Sequence, residues 1–297
     1  MQILRTDDSR FAGLPGYRFA PHYLQDLPAA EGARLHYLDE GEHRAKVVWL
    51  CLHGQPTWSY LYRKMIPRFV AAGHRVIAPD LLGFGRSDKP DSEAFYTFDR
   101  HRNVLLQLIE QLDLRGIRLV CQDWGGLLGL TLPMAMSDRF SALLVMNTGL
   151  GTGDIPLGEG FLAWRAYAAS QPDLDIAALM KRTTTVLSDA EAAAYAAPFP
   201  DQNYKAGVRR FPQLVPDQID APGAEISRAA RRWWNEEWQG RSLMAVGMQD
   251  PVLGPPAMRY LQKQIRGCPP PIEIAEAGHF VQEWGEPIAD RAIAELG

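Results

Sequence analysis

The chain has 297 residues, 46% of them hydrophobic and 22% charged, with a formal net charge of −4 at pH 7. At about 150 residues per domain this length predicts two domains or one carrying a large insertion, and roughly 75% of the unfolded surface can be buried without disulfides or metal. The composition excludes disordered, collagen-like and coiled-coil chains, and no Lys/Arg run exceeds two residues, so an electrostatic footprint for nucleic acid is missing.

The N-terminal segment places Asp7 and Asp8 where a signal peptide carries its apolar stretch. Apolar runs such as residues 47–52 fall far short of the roughly 18 residues of a membrane span. Cys51, Cys121 and Cys268 lack CxxC spacing and read as buried thiols of a reducing compartment. The expectation is a cytoplasmic protein. The seven histidines are scattered singly, so no metal is expected.

Alternating apolar positions at 33–39 predict an edge or half-buried strand, and the continuous run at 47–52 predicts one buried on both faces. Further strands are expected at 75–78, 119–122, 143–146, 243–246 and 272–275, with helices at 60–72, 98–112, 124–136 and 288–296. This alternation implies βαβ units: an α/β fold with a mostly parallel central sheet and helices on both faces. It stops after Asn147, and strand periodicity resumes only at Arg241. The intervening stretch is rich in Ala, Pro and aromatics, with a capping-box pattern at Ser188 and Glu191. The expected division is a core over 1–149 and 221–297 with a helical insertion over 150–220.

Open parallel sheets bind ligands at the carboxyl ends of their strands. The residues there are His53-Gly54-Gln55-Pro56, Asp80, Asp123-Trp124, Asn147, Asp250 and His279. Residues 121–126, CQDWGG, have the spacing of a nucleophile elbow with Asp123 at the usual serine position. A carboxylate is already ionised at pH 7 and attacks without a base. Its product, an alkyl ester, then has to be hydrolysed, so a base is needed only in the second step.

His279 follows the last expected strand and can supply that base, with Asp250 after the penultimate strand holding its far nitrogen. Asn147 at the earlier strand end cannot carry the charge. A backbone amide of the HGQP loop together with that of Trp124 can form an oxyanion hole. The stretch Asp80 to Ser87 lacks phosphate-loop spacing and reads as a structural turn.

Five motifs in order, HGQPTWSYLYR, DLLGFGRSDKP, CQDWGG, GMQDPVLGP and AGHFVQEWGE, resemble the α/β-hydrolase fold and specifically the haloalkane dehalogenases. The resemblance runs from about residue 30 to the C-terminus and takes in FLAW, AYAAPFPD and RRFPQLVP of the insertion, which it identifies as a cap. It implies Asp123 as nucleophile, His279 as base and Asp250 as the partner of His279, the arrangement of the subfamily with Asp as third acid. It further implies that the indoles of Trp124 and Trp164 donate to the leaving halide and that the amides of Gln55 and Trp124 form the oxyanion hole. Where the family commonly has Glu or Asn after HG, this chain has Gln55.

Phe161, Phe211, Pro212, Val215, Val252 and Leu253 are the expected pocket lining. The implied substrate is a small haloalkane, released as alcohol and halide by a monomer without a cofactor. An epoxide hydrolase would share the Asp-Trp elbow but needs cap tyrosines to protonate the opening ring, for which Tyr167, Tyr195 and Tyr204 are available. A non-catalytic relative is the third reading.

Overall fold

The computed structural model describes residues 1–297. The apolar stretches form eight strands of one sheet: β1 (His22–Leu24), β2 (Leu35–Glu40), β3 (Val48–Leu52), β4 (Arg75–Pro79), β5 (Ile117–Gln122), β6 (Phe140–Met146), β7 (Arg241–Gly247) and β8 (Ile272–Ile274). Their order is β8-β7-β6-β5-β3-β4-β2-β1, and every pairing is parallel except those of β2 with β1 and β4. All five residues of β3 are buried, as a strand covered on both faces requires. The cover comes from α1 (Ile66–Ala71) packed with α10 (Gly285–Leu296), from α2 (Phe98–Gln111) packed with α3 (Trp124–Gly129), and from α9 (Pro255–Gln264) against β7. The chain is an α/β-hydrolase by this topology.

The direction of strand addition reverses at β3, whose neighbours are β4 on one side and β5 on the other. A crevice opens outside the carboxyl ends of strands at such a reversal. The HGQP loop after β3 and the DWGG turn after β5 therefore face each other across one edge of the sheet.

Between β6 and β7 the chain is helical: α4 (Glu159–Ala169), α5 (Ile176–Thr183), α6 (Asp189–Ala196) and α7 (Ala206–Leu214). The capping box forms as the sequence indicates, with Ser188 and Glu191 each bonding the other's backbone N–H at the start of α6. A further helix, α8 (Ala224–Glu236), precedes β7; its buried Ala224, Ser227, Ala230 and Trp234 recur at helical spacing on one face. It is not among the helices expected from the sequence, because only small residues and one tryptophan mark its buried face.

Two expected helices are shorter than their sequence pattern. The stretch 60–72 splits into a 3-10 turn at Ser59–Tyr62 and α1, which opens with Pro67 in its first turn. The stretch 124–136 ends as α-helix at Gly129, and Pro133 opens a separate 3-10 turn. No helix is long and apolar enough to cross a membrane.

Candidate active site

Asp123 sits in the single-residue turn between β5 and α3 with φ 50° and ψ −125°, a conformation that L side chains rarely adopt. Strain of this kind persists only where neighbours fix it, and here they do. The backbone N–H of Asp123 donates to the Asn147 carbonyl at 3.1 Å, and Thr148 Oγ1 donates to the Asp123 carbonyl at 2.7 Å. A Cβ on Gly125 would lie 2.0 Å from the Leu52 carbonyl oxygen, so only glycine lets α3 start this close to β3.

The two carboxylate oxygens of Asp123 meet different surroundings. Oδ1 accepts the backbone N–H of Gln55 at 2.7 Å, while Oδ2 lies 3.4 Å from His279 Nε2. The other ring nitrogen, Nδ1, donates to Asp250 Oδ2 at 2.7 Å. Asp250 is fully buried as a side chain, and it stays charged because it is saturated with donors. Asn147 Nδ2 donates to its Oδ2 and the Val252 N–H to its Oδ1, each at 2.8 Å. Burial would raise this carboxyl, but the imidazole of His279 and these donors hold it below the usual carboxylate range. Burial would likewise lower His279, yet Asp250 and then Asp123 outweigh it and push the imidazole up to about 10.

Asn147 is therefore more than an uncharged occupant of a strand end. Its Oδ1 accepts the Gly247 N–H at 2.8 Å while its Nδ2 holds Asp250, so β6 aims the acid carried beyond β7. The Asp80 stretch is a buried turn: Asp80 takes His36 Nδ1 at 2.7 Å and the N–H groups of Ser59 and Arg86.

Above Asp123 lie two adjoining cavities of about 510 Å³ and 550 Å³. Gln55, Asp123, Phe161, Trp164 and Val252 line both. Trp124, Pro212, Val215 and Leu253 face the first cavity, and His279 the second. Phe211 corrects the expectation. It is fully buried behind Trp124, ring centroids 4.7 Å apart, because its side of α7 packs into the core against Phe84 and His101.

A family model described as the alpha/beta hydrolase fold matches residues 48–286. A haloalkane dehalogenase of Psychrobacter cryohalolentis is 50% identical over 97% of this chain and 96% of its own, and one of Mycobacterium marinum is 43% identical over 99% of each. Among solved structures, the tetrameric haloalkane dehalogenase DpaA of Paraglaciecola agarilytica superposes with a TM-score of 0.96 at 51% identity, covering 99% of this chain and 98% of that one. The chain belongs to the haloalkane dehalogenases.

As a haloalkane dehalogenase it hydrolyses carbon–halogen bonds, giving the alcohol and a halide ion. Its cavity walls fit an apolar substrate. Trp49, Trp234 and Trp238 spend their indole N–H groups on His74, the Leu130 carbonyl and Ser242. Those of Trp124 and Trp164, like that of the buried Trp58, donate to no protein acceptor, and of these three residues Trp124 and Trp164 line the first cavity. The epoxide reading loses ground for a geometric reason: Tyr195 is fully buried with its hydroxyl donated to Glu283, and Tyr204 does not reach either cavity. Of these three tyrosines only Tyr167 borders a cavity, the second.

Sequence reasoning missed several wall residues of this dehalogenase. Leu150, Ile155 and Leu157 follow β6 in one run and line the first cavity, with Leu127, Tyr260 and Leu261 on other helices. The apolar spacing of 150–157 directly after a strand end was the available signal. Tyr260 and Leu261 on α9 carry none, since both read as ordinary helix-face residues.

Proposed function

We propose that Oδ2 of Asp123 displaces the halide from the substrate carbon, forming an aspartyl alkyl ester, and that His279 then activates water to hydrolyse it. The observation that carries this reading is the asymmetric surroundings of the two Asp123 oxygens. Oδ1 is held by the Gln55 N–H at 2.7 Å, which leaves Oδ2 for attack. Trp124 opens α3, so its backbone N–H has no intrahelical acceptor and completes an oxyanion hole with Gln55.

In the first step a C–O bond forms as the C–halogen bond breaks, and the halide leaves with the electron pair toward the indole N–H groups of Trp124 and Trp164. An indole is a donor without an acceptor, set in apolar surroundings, which suits a weakly hydrated anion. In the second, His279 Nε2 takes a proton from water, whose oxygen attacks the Asp123 Cγ while negative charge collects on Oδ1. Collapse breaks the Cγ–Oδ2 bond, the leaving alkoxide takes the proton that His279 had accepted, and the new carboxyl group releases its own proton to restore the carboxylate. The imidazolium is stabilised by Asp250, and the net products are alcohol, halide and a proton.

The helical segment 150–220 acts as the cap that excludes water from the bound alkane. Bromide and iodide leave more readily than chloride. Every group invoked comes from one chain, so a monomer suffices, and the three buried free cysteines suit the cytoplasm. Sedimentation at micromolar concentration tests the monomer, and a stable tetramer, the state named for DpaA, would replace it.

The experiment is halide release from 1,2-dibromoethane, 1-bromobutane and 1-chlorobutane, run beside Asp123→Ala. Release that vanishes in the variant supports the carboxylate nucleophile. Equal release from both proteins would remove Asp123 from the mechanism.

A further inference from the structure

Gln122 is the last residue of β5, immediately before Asp123, and its side chain is fully buried. Its Nε2 donates to the backbone carbonyl of His279 at 3.1 Å, joining residues 157 positions apart. The other half of the amide does nothing comparable: Oε1 is buried without a partner. An unpaired amide oxygen in a core is unfavourable, so the position tolerates that loss in exchange for a single donor aimed at the residue that carries the base.

The need for this tie follows from the sheet. His279 hangs from β8, an edge strand of only three residues, none of them fully buried. Two strands, β6 and β7, separate β8 from the strand that carries Asp123. The backbone of the His279 loop is tied to the β7 side, the Met248 N–H donating to Ile274 and the Gln249 N–H to Ala277. Asp250 is on that side too, so Asp250 and the loop of His279 move together. Gln122 is the direct bond from the nucleophile's own strand to the backbone of the base.

We infer that Gln122 is a positioning residue for the hydrolytic half of the reaction: its amide sets Nε2 of His279 at the distance from Asp123 that water attack on the ester requires. This rests on the assignment of Asp123 and His279 above. Halide displacement needs only the Asp123 carboxylate and the halide donors, so it does not depend on Gln122.

The test is quench-flow with 1,2-dibromoethane on Gln122→Met, which keeps an unbranched side chain of similar volume and removes the donor. Ester formed is followed by intact-protein mass and by bromide release. The expected result is ester formation within twofold of the parent and ester decay slowed about tenfold, the scale of a sub-ångström misplacement of a catalytic group. Parallel slowing of both steps would mean a merely structural role, and unchanged decay would mean none; either overturns the inference. Gln122→Asn keeps the amide but is one methylene too short to reach, and it is expected to show the same split, so it serves if the Met variant does not fold. His279→Phe in the same experiment separates the two levels of argument. Ester trapped there with normal decay in Gln122→Met sinks only the role of Gln122, whereas no trapped ester sinks the assignment beneath it.

Discussion

Oδ2 of Asp123 stands 3.4 Å from Nε2 of His279, longer than a strong hydrogen bond and close enough for their charges to couple. In the resting enzyme burial opposes the imidazolium, but Asp250 and Asp123 push His279 up to about 10, so it is charged at neutral pH. On the proposed mechanism, alkylation removes the charge of Asp123 and with it that share of the upward push. The pKa of His279 falls in the ester, and the neutral base appears when it is needed. Ester decay is therefore expected to rise with pH along a limb centred below about 10, while ester formation, which needs no base, stays flat between about pH 6 and 9. Quench-flow across that range checks it, and a flat decay rate beside a pH-dependent formation rate would contradict it.

The same shift makes a stability statement. The folded pKa of His279 lies above the unfolded value of about 6.5, so the folded state holds that proton more tightly. Its contribution is complete below about pH 6.5 and is lost as pH rises through about 10. Asp250, held low, acts in the opposite window: its contribution is present above the unfolded value of about 3.9 and disappears as pH falls below it. Chemical denaturation of the parent and His279→Phe at increasing pH should show the parent's extra loss on the alkaline side, and equal slopes would argue against it.

A Cβ on Gly54 would lie 2.1 Å from Oδ1 of Asp123. That space belongs to the carboxylate proposed as nucleophile. Gly54→Ala is expected to push the carboxylate off the Gln55 N–H and lower turnover by about 100-fold, with a loss of stability of about 1–3 kcal/mol from overpacking. Halide release and thermal unfolding measured together decide it: unchanged turnover in a folded variant would show that the carboxylate has another resting place.

Much of this architecture was legible because it is local. The elbow is written in six consecutive residues, and the buried strands at 47–52 and 143–146 are continuous apolar runs that only a two-faced sheet explains. β1 was not legible: His22–Leu24 is three half-buried residues with no alternation to detect. Phe211 and Trp164 show the limit at the site. Both are aromatic residues of the helical segment, and only packing decides that one lies behind Trp124 and the other borders the cavities. Asn147 stands at a legible strand end, but its hydrogen bond to Asp250, like that of Gln122 to the His279 carbonyl, was hidden, since an amide that binds a distant group is chemically indistinguishable in sequence from any buried amide.

Trp124 and Trp164 are proposed to bind the halide, and each supplies one N–H. Removing a hydrogen bond to a charged partner costs about 1.5–3 kcal/mol, so Trp124→Phe and Trp164→Phe should each weaken inhibition by bromide or chloride about 10- to 100-fold. Trp164 is the sharper test, because it is only half-buried on α4 whereas Trp124 is buried within the core. Halide inhibition unchanged in Trp164→Phe would remove it from the halide site and leave it as a wall of the cavities.

Arg63 and Glu283 form a buried ion pair between residues 220 positions apart, with side chains 2% and 0% exposed. The guanidinium donates to both oxygens of Glu283 at 2.6 Å and 2.8 Å and also reaches Glu191 on α6 at 2.7 Å. Lys64 approaches Glu283 from the surface, and the Tyr195 hydroxyl donates to it from α6. The pair thus pins a helix of the inserted segment to the turn that follows His279. Removing one partner leaves the other charge buried, which costs far more than the intact pair contributes. Glu283→Ala is expected to lose about 3–5 kcal/mol, a fall in Tm on the order of 10 °C for a chain of this size. Tyr195→Phe deletes one donor to a carboxylate that still has Arg63 and Lys64, and is expected to keep dehalogenase activity within about twofold while losing about 1 kcal/mol. A catalytic role for Tyr195, as ring-opening chemistry would demand, predicts the reverse: activity lost and stability little changed.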